Sequence, residues 1–163
     1  MRTKTLSLKV NGNLYDLEVK IISTLSEVLR EKLGMTGTKL MCNEGECGSC
    51  SVLIDGKPSL SCLTLALDCD NKEILTIEGL ADPKTGALHP LQQAFVNKSG
   101  MQCGVCTPGM LLVAKALLDE NPDPTEADVR TALSGNLCRC GNYQRIVECV
   151  LDAARFMREN PDG

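Results

Sequence analysis

Eight of the ten cysteines in this chain fall into two groups of four. Cys42, Cys47, Cys50 and Cys62 form the first. Cys103 with Cys106, then Cys138 with Cys140, form the second. Thiolates are soft ligands that suit zinc and iron–sulfur centres. In the first group the spacing Cys-x4-Cys-x2-Cys is that of plant-type [2Fe–2S] ferredoxins. Cys62 serves as the fourth ligand after eleven residues, closer than in stand-alone plant ferredoxins. Gly45, Gly48 and Ser49 leave little bulk between these ligands, so backbone N–H groups can turn toward sulfur and raise the potential. The competing reading is a zinc site with four cysteine ligands. The second group is less diagnostic by spacing alone, and zinc suits it as well.

The other chemistry-bearing residues are sparse. Cys69, in a polar stretch, and Cys149, at the edge of an apolar stripe, fall outside both groups and read as plain thiols. His89 is the single histidine and precedes Pro90 at a helix start, which suits capping. Arg139 lies between two cysteines, where it can donate to sulfur, meet a partner's phosphate or face water. Glu44 and Glu46 hold a potential low, face a partner or are solvated. The methionines read as core filler. No general acid, base or nucleophile constellation is present, so substrate chemistry is not expected on this chain.

These residues need a scaffold, and the apolar pattern supplies one. Leu6, Leu8 and Val10 alternate as a strand. Asn11-Gly12-Asn13 is a hairpin turn, and Tyr15, Leu17, Val19 and Ile21 form the return strand. Leu25, Val28, Leu29 and Leu33 then recur at helical spacing, with Ser23 or Thr24 as N-cap and Gly34 as the stop. A hairpin followed by a helix opens a β-grasp module. Residues 35–50 carry no periodicity and read as a loop around a bound centre. Strands follow over residues 51–54, 58–62 and 74–78, and residues 63–67 fit strand or helix.

Turn residues at 79–86 set a domain boundary near residue 80. Beyond it the pattern is helical. One helix carries Leu88, Leu91 and Phe95 and ends at Gly100. A second starts with Thr107 as N-cap and Pro108 at the first helical position, and is apolar nearly all round. A third starts at a Thr125/Asp128 capping box and ends at Gly135. A fourth carries Ile146, Val147, Val150, Leu151, Ala154 and Met157 on one stripe, and residues 159–163 are expected to fray. Each cysteine pair of the second group precedes a helix start, where negative charge is favoured, which argues for an anionic centre. The expected fold class is α+β, with a plant-type ferredoxin-like β-grasp domain over residues 1–79 and a four-helix [2Fe–2S]-binding domain over residues 80–163.

Composition narrows the class further. A net charge of −4 and four aromatic residues argue against nucleic acid as a partner. No run of about 18 apolar residues exists, so no membrane span is expected. The N-terminal residues lack the apolar segment of a signal peptide, which points to the cytoplasm. Thiols stay reduced there, and a disulfide framework would be the rival in a secreted chain.

With these motifs in place, the chain closely resembles the small iron–sulfur subunit of the molybdenum hydroxylases, the xanthine dehydrogenase and aldehyde oxidoreductase group. The resemblance rests on Gly37-Thr38-Lys39, Cys42-x-Glu44-Gly45-x-Cys47-Gly48-x-Cys50, Cys62, Gln102-Cys103-Gly104-x-Cys106-Thr107-Pro108-Gly109 and Gly135-Asn136-Leu137-Cys138-Arg139-Cys140, and spans nearly the whole chain. It implies one [2Fe–2S] cluster on Cys42, Cys47, Cys50 and Cys62 and another on Cys103, Cys106, Cys138 and Cys140. It further implies that Gln102 and Cys140 lie nearest a molybdopterin on a large partner subunit, and that the first cluster faces FAD on a medium subunit, in a dimer of heterotrimers. Two positions depart from the family: Met41 stands where Gly is usual, and Gly141-Asn142 where Thr-Gly is frequent, with Asn142 expected to tolerate a left-handed turn.

The expected function is therefore electron transfer from a molybdenum site to a flavin, with a purine or N-heterocycle as substrate of the complex. Aldehydes, carbon monoxide and aromatic CoA thioesters are the alternatives within the family. A zinc-stabilised interaction module and a free-standing ferredoxin-like carrier are the alternatives outside it.

Overall fold

The computed structural model describes residues 2–160. Strand β1 (Thr3–Val10) turns Leu6, Leu8 and Val10 inward, as their alternation requires. Asn11 and Gly12 carry φ of 51° and 79° and make the tight turn into β2 (Asn13–Lys20). Val19 is buried on β2, whereas Ile21 lies just past the strand and is exposed. Of the two candidate caps it is Thr24 that starts α1 (Leu25–Glu27). Its Oγ1 accepts from the Glu27 N–H, and the Glu27 carboxylate accepts from the Thr24 N–H at 3.1 Å. The expected single helix differs from what forms. One α-helical turn widens into a π-helical turn over Val28–Lys32, and Gly34 ends it at φ 67°. Leu25, Val28 and Leu29 still face the sheet core.

Strands β3 (Ser51–Ile54) and β4 (Lys57–Leu60) are joined by Asp55 and Gly56, both at positive φ. Strand β5 (Glu73–Leu75) completes a sheet of order β2-β1-β5-β3-β4. β1 and β5 run parallel and every other neighbouring pair runs antiparallel. β5 is shorter than the strand expected over residues 74–78. Asn11 takes the place of a strand partner at Thr76: its Oδ1 accepts from the Thr76 N–H and its Nδ2 donates to Thr76 Oγ1, each at 2.9 Å. The chain then turns into a 3-10 segment, Ile77–Gly79. The ambiguous stretch resolves into a bridge at Leu65 and a 3-10 segment, Ala66–Cys69. Cys69 is buried in the sheet core rather than lying in a polar loop, because that segment tucks beneath β1.

The rest is helical: α2 (Pro90–Asn97), α3 (Thr107–Glu120), α4 (Glu126–Ala132) and α5 (Tyr143–Glu159). They enclose a second core built on Leu91, Phe95, Met110, Ile146 and Val150. Leu88 precedes α2 and is exposed, while the Thr125/Asp128 capping box of α4 forms as expected. α3 is buried almost all round because it packs on α2 and α4 and also on β3 and β4. α5 turns its expected stripe inward, and Cys149 lies within that stripe, fully buried, rather than at its edge. α5 reaches Glu159, and residues 161–163 lie outside the described residues. The chain is thus an α+β protein, a β-grasp sheet followed by a four-helix unit.

Candidate metal centres

The loop over residues 35–50 has its backbone turned inward. Asn43, Gly45 and Gly48 all sit at positive φ, at 57°, 83° and 68°. This alternation aims successive N–H groups at one side of the loop. The Glu44 N–H lies 3.5 Å from Cys42 Sγ. That contact, followed by the neighbouring thiol of Cys47, lowers the Cys42 thiol to about 7. Cys50 and Cys62 lie deeper, at 3% and 4% exposure. Burial, then the adjacent Cys50 thiol, pushes Cys62 up to about 11. The first set is therefore two couples, Cys42 with Cys47 at the rim and Cys50 with Cys62 inside. Met41 points outward and is exposed, so the departure at this position leaves the loop unstrained.

The second set repeats the arrangement. Cys106 is the N-cap of α3, so the helix begins one residue earlier than expected and Thr107 is already helical and buried. Pro tolerates any first-turn position, and the cysteine takes the place where negative charge gains from the helix dipole. Burial and the Cys138 thiol push Cys106 up to about 12. Cys138 is driven up by burial, but N–H groups from Asn142, Cys140 and Gly141, with the Cys106 thiol, outweigh this and its pKa is lowered. Cys103 is exposed, and the Val105 N–H and then the Cys140 thiol lower it. The couples are Cys106 with Cys138 inside and Cys103 with Cys140 at the surface, with Gln102 exposed beside them. The left-handed residue of the closing turn is Gly141 at φ 72°, not Asn142 at −80°. Asn142 instead donates from Nδ2 to the Ser99 carbonyl at 3.1 Å.

The arrangement fits a two-iron unit. Each iron in such a unit takes two thiolates, and each set offers two couples. A lone zinc ion needs four sulfurs about 2.3 Å from one point. Among the described residues no three Cys, His, Asp or Glu side chains gather as a single-ion site would require. All ten cysteines are free thiols. Burial holds Cys62 and Cys106 toward the neutral thiol, and a bound metal would deprotonate them.

Comparison with known proteins gives the same answer. A 2Fe-2S iron-sulfur cluster binding domain matches residues 8–99, and a [2Fe-2S] binding domain matches residues 76–151. The nicotine 6-hydroxylase small subunit of Paenarthrobacter nicotinovorans is 49% identical over 148 residues, 91% of this chain and 88% of that one. The chain belongs to the small iron–sulfur subunits of the molybdenum hydroxylases. The nicotinate dehydrogenase small FeS subunit of Eubacterium barkeri is 45% identical, covering 92% of this chain and 94% of that one. The crystal structure of quinoline 2-oxidoreductase from Pseudomonas putida 86 superposes with a TM-score of 0.91 at 41% identity, over 98% of both chains. As a member of this family the chain is an electron-transferring subunit of an oxidoreductase complex.

Several contacts of this iron–sulfur subunit are not legible in its sequence. The Cys138 N–H donates to the Tyr143 hydroxyl at 2.8 Å. The Leu137 N–H donates to the Cys47 carbonyl and Asn136 Nδ2 to the Gly48 carbonyl, each at 2.9 Å, joining the two cysteine loops. A groove of about 710 Å³ lies between β4 and α3, and none of the eight clustered cysteines lines it. No helix is long and apolar enough to cross a membrane among the described residues.

Proposed function

We propose that Cys42, Cys47, Cys50 and Cys62 hold one [2Fe–2S] unit and that Cys103, Cys106, Cys138 and Cys140 hold a second. The chain then relays electrons from a molybdopterin-binding large subunit to an FAD-binding medium subunit. The observation that carries this reading is the arrangement of the thiols in couples, one buried and one near the surface in each set. Residues 1–79 and 80–163 are the two domains, each with its own core and its own centre. When bound, each unit supplies a one-electron carrier. The protein's own work is to hold the thiolates, aim backbone N–H groups at them, and keep the inner couples from water.

The surface couple of the second set marks the entry side. Cys103 is exposed, Cys140 is half-buried, and Gln102 stands next to them. Gln102 and Cys140 are thus the residues to meet the pterin of the large subunit. The Cys42/Cys47 rim is the exit toward the flavin. The complex is a dimer of heterotrimers and works in the cytoplasm, where thiols stay reduced. Its substrate is a pyridine-type N-heterocycle, a choice supported by the relatives named for nicotine and nicotinate. Substrate chemistry takes place on the large subunit.

Iron and acid-labile sulfide analysis tests the ligand assignment. The expected result is two two-iron units per chain, with two paramagnetic signals after dithionite reduction. Zinc without sulfide would refute it. Purification from native extract should recover a large and a medium subunit, and the complex should oxidise nicotinate-like heterocycles faster than purines or aldehydes. Faster aldehyde turnover would reassign the substrate and leave the relay intact.

A further inference from the structure

The two cysteine loops meet in a buried seam. Asn136 is 4% exposed, and its Nδ2 donates to the Gly48 carbonyl, 88 residues away in sequence, at 2.9 Å. Beside it the Leu137 N–H donates to the Cys47 carbonyl at 2.9 Å. Cys47 belongs to the first set, and Leu137 adjoins Cys138 of the second. One hydrogen bond therefore completes a bonded path between a ligand of each centre. The seam is tight on both flanks. A Cβ on Gly48 would lie 2.4 Å from the Gly135 carbonyl oxygen, and one on Gly109 would lie 2.5 Å from the Gly48 carbonyl oxygen.

The Gly48 carbonyl does not need Asn136 for its own satisfaction. It also accepts from the Ser51 N–H at 3.1 Å and from Ser51 Oγ at 2.8 Å. Those bonds are local to the first loop. The Asn136 bond is the one that ties this carbonyl to the second loop, so removing it should disturb the spacing between the loops more than the fold of either.

We propose that Asn136 is a positioning residue for electron passage between the two centres. Its carboxamide holds Gly48, keeps the Leu137–Cys47 hydrogen bond closed, and fixes the separation and coupling of the centres. This rests on both centres being present as read above. An aspartate at this position would set a carboxylate against a carbonyl, and a leucine would fill the space without donating.

The experiment uses the full chain with its iron, reduced by dithionite, and reads the low-temperature magnetic splitting between the two reduced centres. This interaction falls steeply with separation. The wild type should show a splitting, and Asn136→Leu should shrink or lose it while keeping its iron, sulfide and helical content. Gly109→Ala keeps the Asn136 side chain but presses a methyl group on both partners of its bond, the Gly48 carbonyl at 2.5 Å and Asn136 Nδ2 at 3.0 Å, and it too should shrink the splitting. Wild-type splitting in either variant at full iron content overturns the proposal. Loss of one centre's iron in Asn136→Leu overturns it as well, since the residue would then serve one ligand loop. A wild type with both centres filled and no splitting overturns the clamp alone. A wild type lacking two iron–sulfide units overturns the ligand assignment and the clamp with it.

Discussion

His89 and Cys149 show what single side chains do away from the two cysteine sets. His89 caps α2: its Nδ1 accepts from the Leu91 N–H at 3.2 Å, while its backbone N–H donates to Gln92 Oε1 at 3.0 Å. An accepting Nδ1 requires neutral imidazole, and burial, with Lys115 nearby, holds the His89 pKa below 6.5. The unfolded chain takes up this proton near pH 6.5, before the folded chain does. The stability His89 contributes is thus complete above that pH and is lost as the pH falls below it. Asn caps without titrating in this range. Denaturant melts of His89→Asn should depend less on pH than the wild type between about pH 7 and pH 5. Cys149 is fully buried in the helical core, and burial raises its thiol to about 11. Cys149→Ser should destabilise by about 1–3 kcal/mol through an ill-partnered buried hydroxyl and leave the iron content unchanged. Cys138→Ser should instead remove one whole centre, with iron and sulfide analysis separating the two outcomes.

At the scale of elements, several local rules held where the deciding partner was a few residues away, although the N-cap of α3 fell on Cys106 rather than Thr107. The alternation in β1, an N-cap at Thr24, the capping box at Thr125/Asp128, and the Asp55-Gly56 turn all formed where the pattern put them. The proposed cysteine groupings rest on the same kind of reasoning, since three of the first four share one loop. What the pattern missed was decided from far away. β5 stops early because Asn11 brackets Thr76 from another hairpin. Cys69 is flanked by Asp68 and Asp70 and still lies in the core, since its segment packs under β1. The seam at Asn136 joins residues that no window of sequence sees together. Gly48 links the two kinds of information, because its φ of 68° is local while the Gly135 carbonyl that a Cβ here would strike is not. Gly48→Ala should cost on the order of 1–3 kcal/mol for the backbone alone. It should also lose iron from the first centre before the second, as followed by visible absorption. Thr125→Ala, by contrast, should cost about 1 kcal/mol with both centres intact.

Seen whole, the molecule has two separate hydrophobic cores, one under the sheet and one among the helices. Among the described residues they are tied together by α3 lying on β3 and β4, by Ile77 packing on the helical core, and by the seam between the cysteine loops. The loop over residues 35–50 contributes Met35 at its start to the sheet core and little beyond it, and three of its residues hold positive φ. Hydrogen bonds from Arg30 to the Thr36 and Thr38 carbonyls and from the Gly37 N–H to Glu78 fix its first part, and a metal gripped by the thiols would fix the rest. In the proposed assignment Cys62, past the end of β4, would close that grip from a second segment. Removing that metal should free the loop from its fourth anchor, and the Gly48 carbonyl that Asn136 holds should move with it. The sheet and the helices would each keep an apolar core but lose part of what makes them melt together. Calorimetry of the iron-loaded chain should then give one cooperative transition, while the iron-stripped chain should give two at lower temperature. Hydrogen exchange on the stripped chain should rise first in residues 40–50 and 134–142, ahead of β1 and α5. A stripped chain that melts once, at the temperature of the loaded one, would show that the packing of α3 on the sheet suffices to join the halves without metal.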